Sequence, residues 1–178
     1  SQEFGSLDVI IHSVAFANRE DLGGPFVETG RDGFHLAMDV SAYSLVPIAR
    51  YGVPLISQLG GSIVTMTFQA SERVFPGYNI MGTAKAALEN EVKQLAADLG
   101  VDNIRVNAIS AGPLDTLSSR AISRYRDMKK AQLERSPMRR NITTEEVAKA
   151  ALFLCSDLSS GITGEVVHVD NGYNIMGV

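Results

Sequence analysis

The sequence predicts an α/β fold: a three-layer, doubly wound parallel sheet with helices on both faces. Three observations carry this. Short runs rich in β-branched residues recur along the chain and alternate with stretches of helical periodicity. Glycine and proline pairs punctuate the boundaries at Gly60-Gly61, Pro76-Gly77 and Gly112-Pro113. The 178 residues are 45% hydrophobic and 20% charged, which suits one domain, 1–178, with a substantial core.

The elements follow in order. Residues 7–12 form an apolar run ending at His12 and read as a buried strand. Residues 32–58 read as a long helix opened by Arg31-Asp32, which Pro47 and Pro54 should kink or shorten. Residues 62–67 are the second strand. A helical run carrying Tyr78 and Lys85 then buries Met81, Ala84, Leu88, Val92, Leu95 and Leu99 at steps of three and four, and stops at Gly100. Residues 105–110 are the third strand and 164–170 the last. Between them, Thr143-Thr144-Glu145-Glu146 marks a helix start with acids in its first turn. In such folds ligands sit at the carboxyl ends of the strands. The loops after His12, Thr67 and Ser110, and Tyr78 itself, fall there.

Composition sets further bounds. No stretch of 18 apolar residues predicts a membrane span, and no secretory signal stands at the start. The single cysteine, Cys155, lies in an apolar run and reads as a buried, inert thiol, in keeping with a reducing cytoplasm. Net charge is −4 but uneven. Residues 120–140 hold eight basic and two acidic side chains, so this segment is +6 and the remainder −10. It reads either as a solvated helix face or as a docking patch for an acidic or phosphate-bearing partner. The acidic remainder argues against nucleic acid. His12, His35 and His168 fall into no metal-ligand spacing, and no metal site is expected.

Tyr78 and Lys85 are the chemical candidates. Seven residues make nearly two helical turns, so on a continuous helix both side chains project from one face. A phenol can donate to a developing oxyanion; a nearby ammonium lowers the phenol's pKa and can hold a cofactor hydroxyl. The bland alternative is a half-buried ring beside a solvated charge.

Context separates the two readings. Residues 12–17 (HSVAFA), 72–85 (ERVFPGYNIMGTAK), 105–113 (RVNAISAGP) and 159–170 (SSGITGEVVHVD) resemble, in order and spacing, the enoyl-acyl-carrier-protein reductases. These form the divergent branch of the short-chain dehydrogenase/reductase superfamily. The resemblance covers nearly the whole chain. Ordinary superfamily members carry Tyr-x3-Lys; here Gly82 occupies that lysine position and the spacing is Tyr-x6-Lys.

The resemblance implies a Rossmann-like domain, with this chain matching strands 4–7 of the family fold. It implies hydride transfer from NADH, or possibly NADPH, to the β-carbon of a trans-2-enoyl thioester in fatty-acid elongation. Tyr78 would stabilise the enolate oxygen and Lys85 would hold the nicotinamide ribose. Ser13, Val14, Ala111, Gly112, Pro113, Leu114, Thr116 and Ser118 would lie along the cofactor. Ala17, Phe68, Met81, Ile122 and Tyr125 would join Tyr78 at the substrate, with 111–142 as the substrate-binding loop and helix region. Met81 and Ile122 also read as plain core residues, and Thr116 as a helix cap. The resemblance further implies a cytoplasmic homotetramer, with interfaces at the Tyr78/Lys85 helix and the last strand. Acyl carrier protein would dock on 120–140.

Three departures stand out. Phe68 replaces a tyrosine found in many bacterial relatives. Asp115 replaces a common arginine, and Asn171 a common glycine. The family's first βα units, with their glycine-rich pyrophosphate cradle, have no counterpart before residue 7. Without them, 7–12 becomes an apolar sheet edge. The sequence is then expected to be either part of a longer enzyme or a truncated relative that binds dinucleotide poorly. Two rivals remain at this level: another reductase of the superfamily, and a non-catalytic oligomerisation or carrier-binding module.

Overall fold

A computed structural model of the chain describes residues 5–56, 59–117, 119, 122 and 124–177. Four parallel strands lie in the order β1-β2-β3-β4: β1 (Val9–His12), β2 (Gly61–Thr67), β3 (Ile104–Ala111) and β4 (Val166–Val169). All four expected strands are present, within two residues at their ends. Side chains alternate across the sheet, so adjacent residues face different layers. Ile63 and Val64 are both fully buried and belong to separate cores. One core packs Ile63, Val106 and Ala108 against α2 (Leu45–Gly52) and α3 (Ile80–Leu99), through Leu45, Ala49, Leu88 and Val92. The other packs Val64 and Ile109 against α5 (Thr144–Cys155), through Val147 and Leu154. α1 (Arg31–Met38) precedes α2, and α4 (Tyr125–Arg135) precedes α5.

The expected helix over 32–58 is corrected to a broken one. α1 passes through a π-helical turn, Asp39–Tyr43, into α2, and a 3-10 turn, Val53–Leu55, ends the run. Pro47 sits in the first turn of α2, just after the π turn, and Pro54 sits in the 3-10 turn; each lacks the N–H that a continuous helix would use. Gln58 lies outside the described residues. Thr143 caps α5 as expected, in a capping box with Glu146. Cys155, at the end of α5, is half-buried rather than buried; burial still pushes its thiol up, which keeps it protonated.

β3 is locked to the end of α5 and to the segment after it by polar clamps. Arg105 donates to the carbonyls of Leu154 and Ser156 and to the Ser159 hydroxyl. Asn107 donates to the Ile162 carbonyl and accepts from Glu165 N–H. At the β1 end of the sheet, Ile11 is 57% exposed.

Candidate active site

A cleft of about 780 Å³ opens at the carboxyl ends of the strands. The loop after β1 contributes Ser13 and Ala17, the end of β2 and the residue after it Thr67 and Phe68, the end of β3 Ala111, and the loop after it Gly112, Pro113, Leu114 and Thr116. Tyr78 enters from the turn before α3 and Met81 and Lys85 from its first turns, with Ile122 from the segment before α4 and Tyr125 from its first residue. Of the residues expected at the site, Val14 does not line this cleft; it is exposed. Ser118 lies outside the described residues.

The Tyr78/Lys85 pair is built differently from the helical face that the spacing predicts. Tyr78 is not in the helix. α3 starts at Ile80, and Asn79 between them has φ 33° and ψ −117°. A non-glycine residue rarely takes a positive φ. Asn79 is held there by its side-chain amide, which donates to the carbonyls of Gly23 and Gly24, each at 3.0 Å. The tyrosine therefore owes its direction to the turn, not to helical periodicity. Its ring packs edge-on against Phe68, centroids 5.0 Å apart, and Phe68 packs on Phe75 at 4.8 Å.

Gly82 explains the lysine's place. A Cβ there would fall 2.7 Å from the Ala70 carbonyl oxygen. No side chain fits at that position, so an ammonium can enter only farther along the helix, as it does at Lys85. Lys85 is 6% exposed, and its Nζ donates to the Met66 carbonyl at 2.8 Å. Burial pulls its pKa down from the ordinary 10.5 to about 8, against the opposing pull of Glu89. Glu89 in turn accepts from the Thr67 hydroxyl at 2.6 Å. The expected lowering of the Tyr78 pKa is reversed. Burial among apolar neighbours raises it well above the usual 10, so the phenol stays a hydrogen-bond donor throughout the neutral range.

Beneath this pair lies a neutral polar chain. His12, 1% exposed, contacts the Thr65 hydroxyl through Nδ1 at 2.8 Å and the Ser44 hydroxyl through Nε2 at 2.9 Å. Ser44 donates its own proton to the Val40 carbonyl, so it accepts from Nε2–H, and Thr65 donates to Nδ1. Burial, with Lys85 nearby, pulls the His12 pKa down to about 4. Thr65 is thus spent on His12 and does not face the cleft.

The remaining departures have local reasons. Asp115 pairs with Lys129 at 2.5 Å, which offsets its charge beside Thr116. Thr116 and Ser119 bond reciprocally, Thr116 N–H to the Ser119 hydroxyl at 3.0 Å and Ser119 N–H to the Thr116 hydroxyl at 3.2 Å. Thr116 therefore closes a local turn with Ser119 and lines the cleft, while the N-cap position of α4 is Arg124. Asn171 takes φ 58°, the region that favours glycine, and its amide donates to the Arg140 carbonyl. Sequence reasoning missed one wall. Thr144, Val147, Ala148 and Ala151 form one face of α5 along the cleft. Their spacing of three and four was visible, but nothing local said which face turns inward.

A parallel α/β sheet with a protonated phenol and a buried ammonium at one cleft defines a site that can hold a ligand oxygen and a hydroxylated cofactor together. The profile of the family described as Enoyl-(Acyl carrier protein) reductase matches residues 1–174. The enoyl-[acyl-carrier-protein] reductase [NADH] FabI of Bacillus cereus is 51% identical over 176 residues, covering 99% of this chain and 68% of its own. A crystal structure of the Bacillus cereus enoyl-acyl carrier protein reductase with NADP+ and indole naphthyridinone superposes with a TM-score of 0.96, at 51% identity and the same coverage. The Anaplasma phagocytophilum reductase in complex with NAD gives 0.95 at 48% identity, over 99% of this chain and 67% of its own. The chain belongs to the enoyl-acyl-carrier-protein reductase family. It spans about two thirds of the length of these relatives.

Proposed function

We propose that the protein reduces the carbon–carbon double bond of a trans-2-enoyl thioester carried on acyl carrier protein, in fatty-acid elongation in the cytoplasm. The observation that carries this is the shared cleft, in which a phenol kept protonated by burial stands with an ammonium drawn from solvent.

The residues present fit a nicotinamide cofactor's ribose end. Lys85 has three donor protons and gives one to Met66, leaving others for ribose hydroxyls. Gly112 is required for packing: the Gln132 side-chain amide of α4 fills the space that a Cβ would take there. Bound at Lys85, NADH, or alternatively NADPH, supplies the hydride. Ser13, Val14, Ala111, Pro113, Leu114, Thr116 and Ser118 complete our assignment of the cofactor side. Tyr78 donates to the thioester oxygen as negative charge gathers on it, an interaction stronger in the transition state than in the ground state. Its phenol is held in place by Phe68 and by the Asn79 turn. Ala17, Phe68, Met81, Ile122 and Tyr125 wall the acyl chain and keep water from it. Burial pushes the Tyr125 phenol up to about 12, so it too stays neutral. Residues 111–142 act as the substrate-binding region.

The test is turnover of crotonyl thioester by the purified protein, followed by loss of NADH absorbance. We expect turnover in the wild type and a loss of two to three orders of magnitude in Tyr78→Phe, the scale of about 3–4 kcal/mol for one such donor. Equal rates in the two would end this reading.

For the carrier protein we propose the 120–140 segment, though with fewer free charges than its composition offers. Arg124, Lys129, Lys130 and Arg140 are each paired with a carboxylate. Arg126, Arg135 and Arg139 make no ion pair among the described residues, and Arg120 lies outside them. Charge reversal at Arg124 and Arg126 should raise KM for carrier-linked substrate but not for a small thioester. Equal effects on both would remove the docking role. We assign the assembly as a homotetramer; the half-buried residues of β4, at the sheet edge, suit an interface.

A further inference from the structure

We propose that Ser41, delivered by the π-helical turn between α1 and α2, is a positioning residue that fixes the substrate wall formed by the loop after β1. This rests on the reductase reading of the cleft. A π turn inserts one residue into a helix and so rotates the residues downstream of it; such turns recur at functional sites. Here the turn Asp39–Tyr43 presents Ser41 toward the loop, and Ser44, just after it, holds His12 at the loop's root.

Ser41 is fully buried and bonds one residue of the loop twice. Its hydroxyl accepts from Phe16 N–H at 2.8 Å and donates to the Phe16 carbonyl at 2.9 Å. The same oxygen lies 3.5 Å from Met81 Sδ. It therefore joins two walls of the cleft, the Phe16-Ala17 backbone and the Met81 side chain of α3. The loop needs such an anchor. Residues 13–16 are exposed, including the rings and branches of Val14 and Phe16. Little side-chain packing holds them. A serine that both donates to and accepts from one peptide unit fixes its orientation as well as its distance. Nothing in the hydride or proton chemistry needs this hydroxyl, and it does not line the cleft. Its effect on the reaction runs through where Phe16 and Ala17 stand.

Two readouts decide the matter in Ser41→Ala. The first is hydrogen exchange at the Phe16 amide, which Ser41 shields in the wild type and which should speed up by about tenfold or more. The second is steady-state kinetics. KM for the enoyl thioester should rise on the order of tenfold, the scale of one to two net hydrogen bonds. kcat and the KM for NADH should stay within about twofold. Ser41→Cys, close in size with a weaker donor and acceptor, should fall between the two proteins on both readouts. A role confined to stability would lower the Tm of Ser41→Ala and leave the thioester KM alone. That result, or unchanged exchange at Phe16, overturns the proposal. A wild type without turnover would instead end the reductase reading, and exchange at Phe16 would still decide whether the clamp exists.

Discussion

Replacing Lys85 with methionine should make the protein more stable and inactive at once. The side chain is 6% exposed and makes one hydrogen bond, to the Met66 carbonyl. Its pKa falls from 10.5 to about 8, chiefly through desolvation. That gap is worth about 3 kcal/mol against the charged folded state at neutral pH. Methionine matches the length and flexibility of the stem and carries no charge. Its loss of the bond to Met66 costs about 1 kcal/mol. The variant should then be more stable than the wild type by about 2 kcal/mol at pH 7.

The pH dependence has a definite sign. The folded pKa lies below the unfolded one, so between about 8 and 10.5 the unfolded chain binds the extra proton. The wild type is destabilised in full below about 8 and recovers as pH rises through that window. The advantage of Lys85→Met should therefore shrink to near zero by about pH 10. The chain has no tryptophan, so urea unfolding followed by far-UV circular dichroism is the suitable assay. A variant less stable than the wild type at pH 7, or a difference that does not narrow by pH 10, would show that Lys85 is not held in a desolvated, costly state.

Other substitutions test neighbouring parts of the argument. Tyr78→Phe keeps the packing on Phe68, so its Tm should stay within about 2–4 °C of the wild type while kcat falls. For His12 the folded pKa of about 4 lies below the ordinary 6.5, so the unfolded chain binds the proton in that window. Stability should fall as pH drops from 6.5 toward 4, and His12→Gln should flatten that slope in urea titrations. Asn171→Ala should lose about 1–2 kcal/mol, because alanine is strained at φ 58° and leaves the Arg140 carbonyl without its donor. Asn171→Gly should lose less, since only the hydrogen bond goes; thermal melts of the two variants compare the terms.

The strands were legible because burial on both faces selects continuous β-branched runs, as at residues 62–67 and 105–110. The start of α5 was legible because a capping box is a local device, closed within Thr143 to Glu146. The site was legible only as a pattern. Tyr-x6-Lys named two residues that line one cleft, yet the geometry inferred from it was a helical face, and the structure uses a strained turn at Asn79 instead. No propensity announces such a turn: asparagine tolerates positive φ, but what holds it here are Gly23 and Gly24, more than fifty residues away. The π turn at Asp39–Tyr43 was invisible for a related reason. Its sequence contains neither glycine nor proline, and the contacts that favour it come from the loop after β1. Charge was misread at the same level. A segment sum counts Lys129 and Arg140 as free, and their partners Asp115 and Glu146 lie outside the segment.

The distribution of costs along the chain bears on function. At the amino ends of the strands and around α5, polar groups are satisfied by ordinary means: a capping box, the Arg105 clamp, the Asn107 bridge. At the carboxyl ends the chain instead keeps a desolvated ammonium, an imidazole held neutral, a non-glycine residue at φ 33° and a π turn. Each of these is unfavourable alone, and simpler residues would remove each of them. Scattered at random they would only lower stability. Here they converge on the walls of one cleft, and each fixes a group that the cleft presents: Lys85, the Ser13 loop, Tyr78, and the Phe16-Ala17 backbone. Positive φ also occurs at Asn103, Arg139 and Asn171, away from the cleft, so backbone strain alone does not mark the site. The convergence of several costly groups that each orient a donor on one cleft is what a site selected for position rather than for stability should look like.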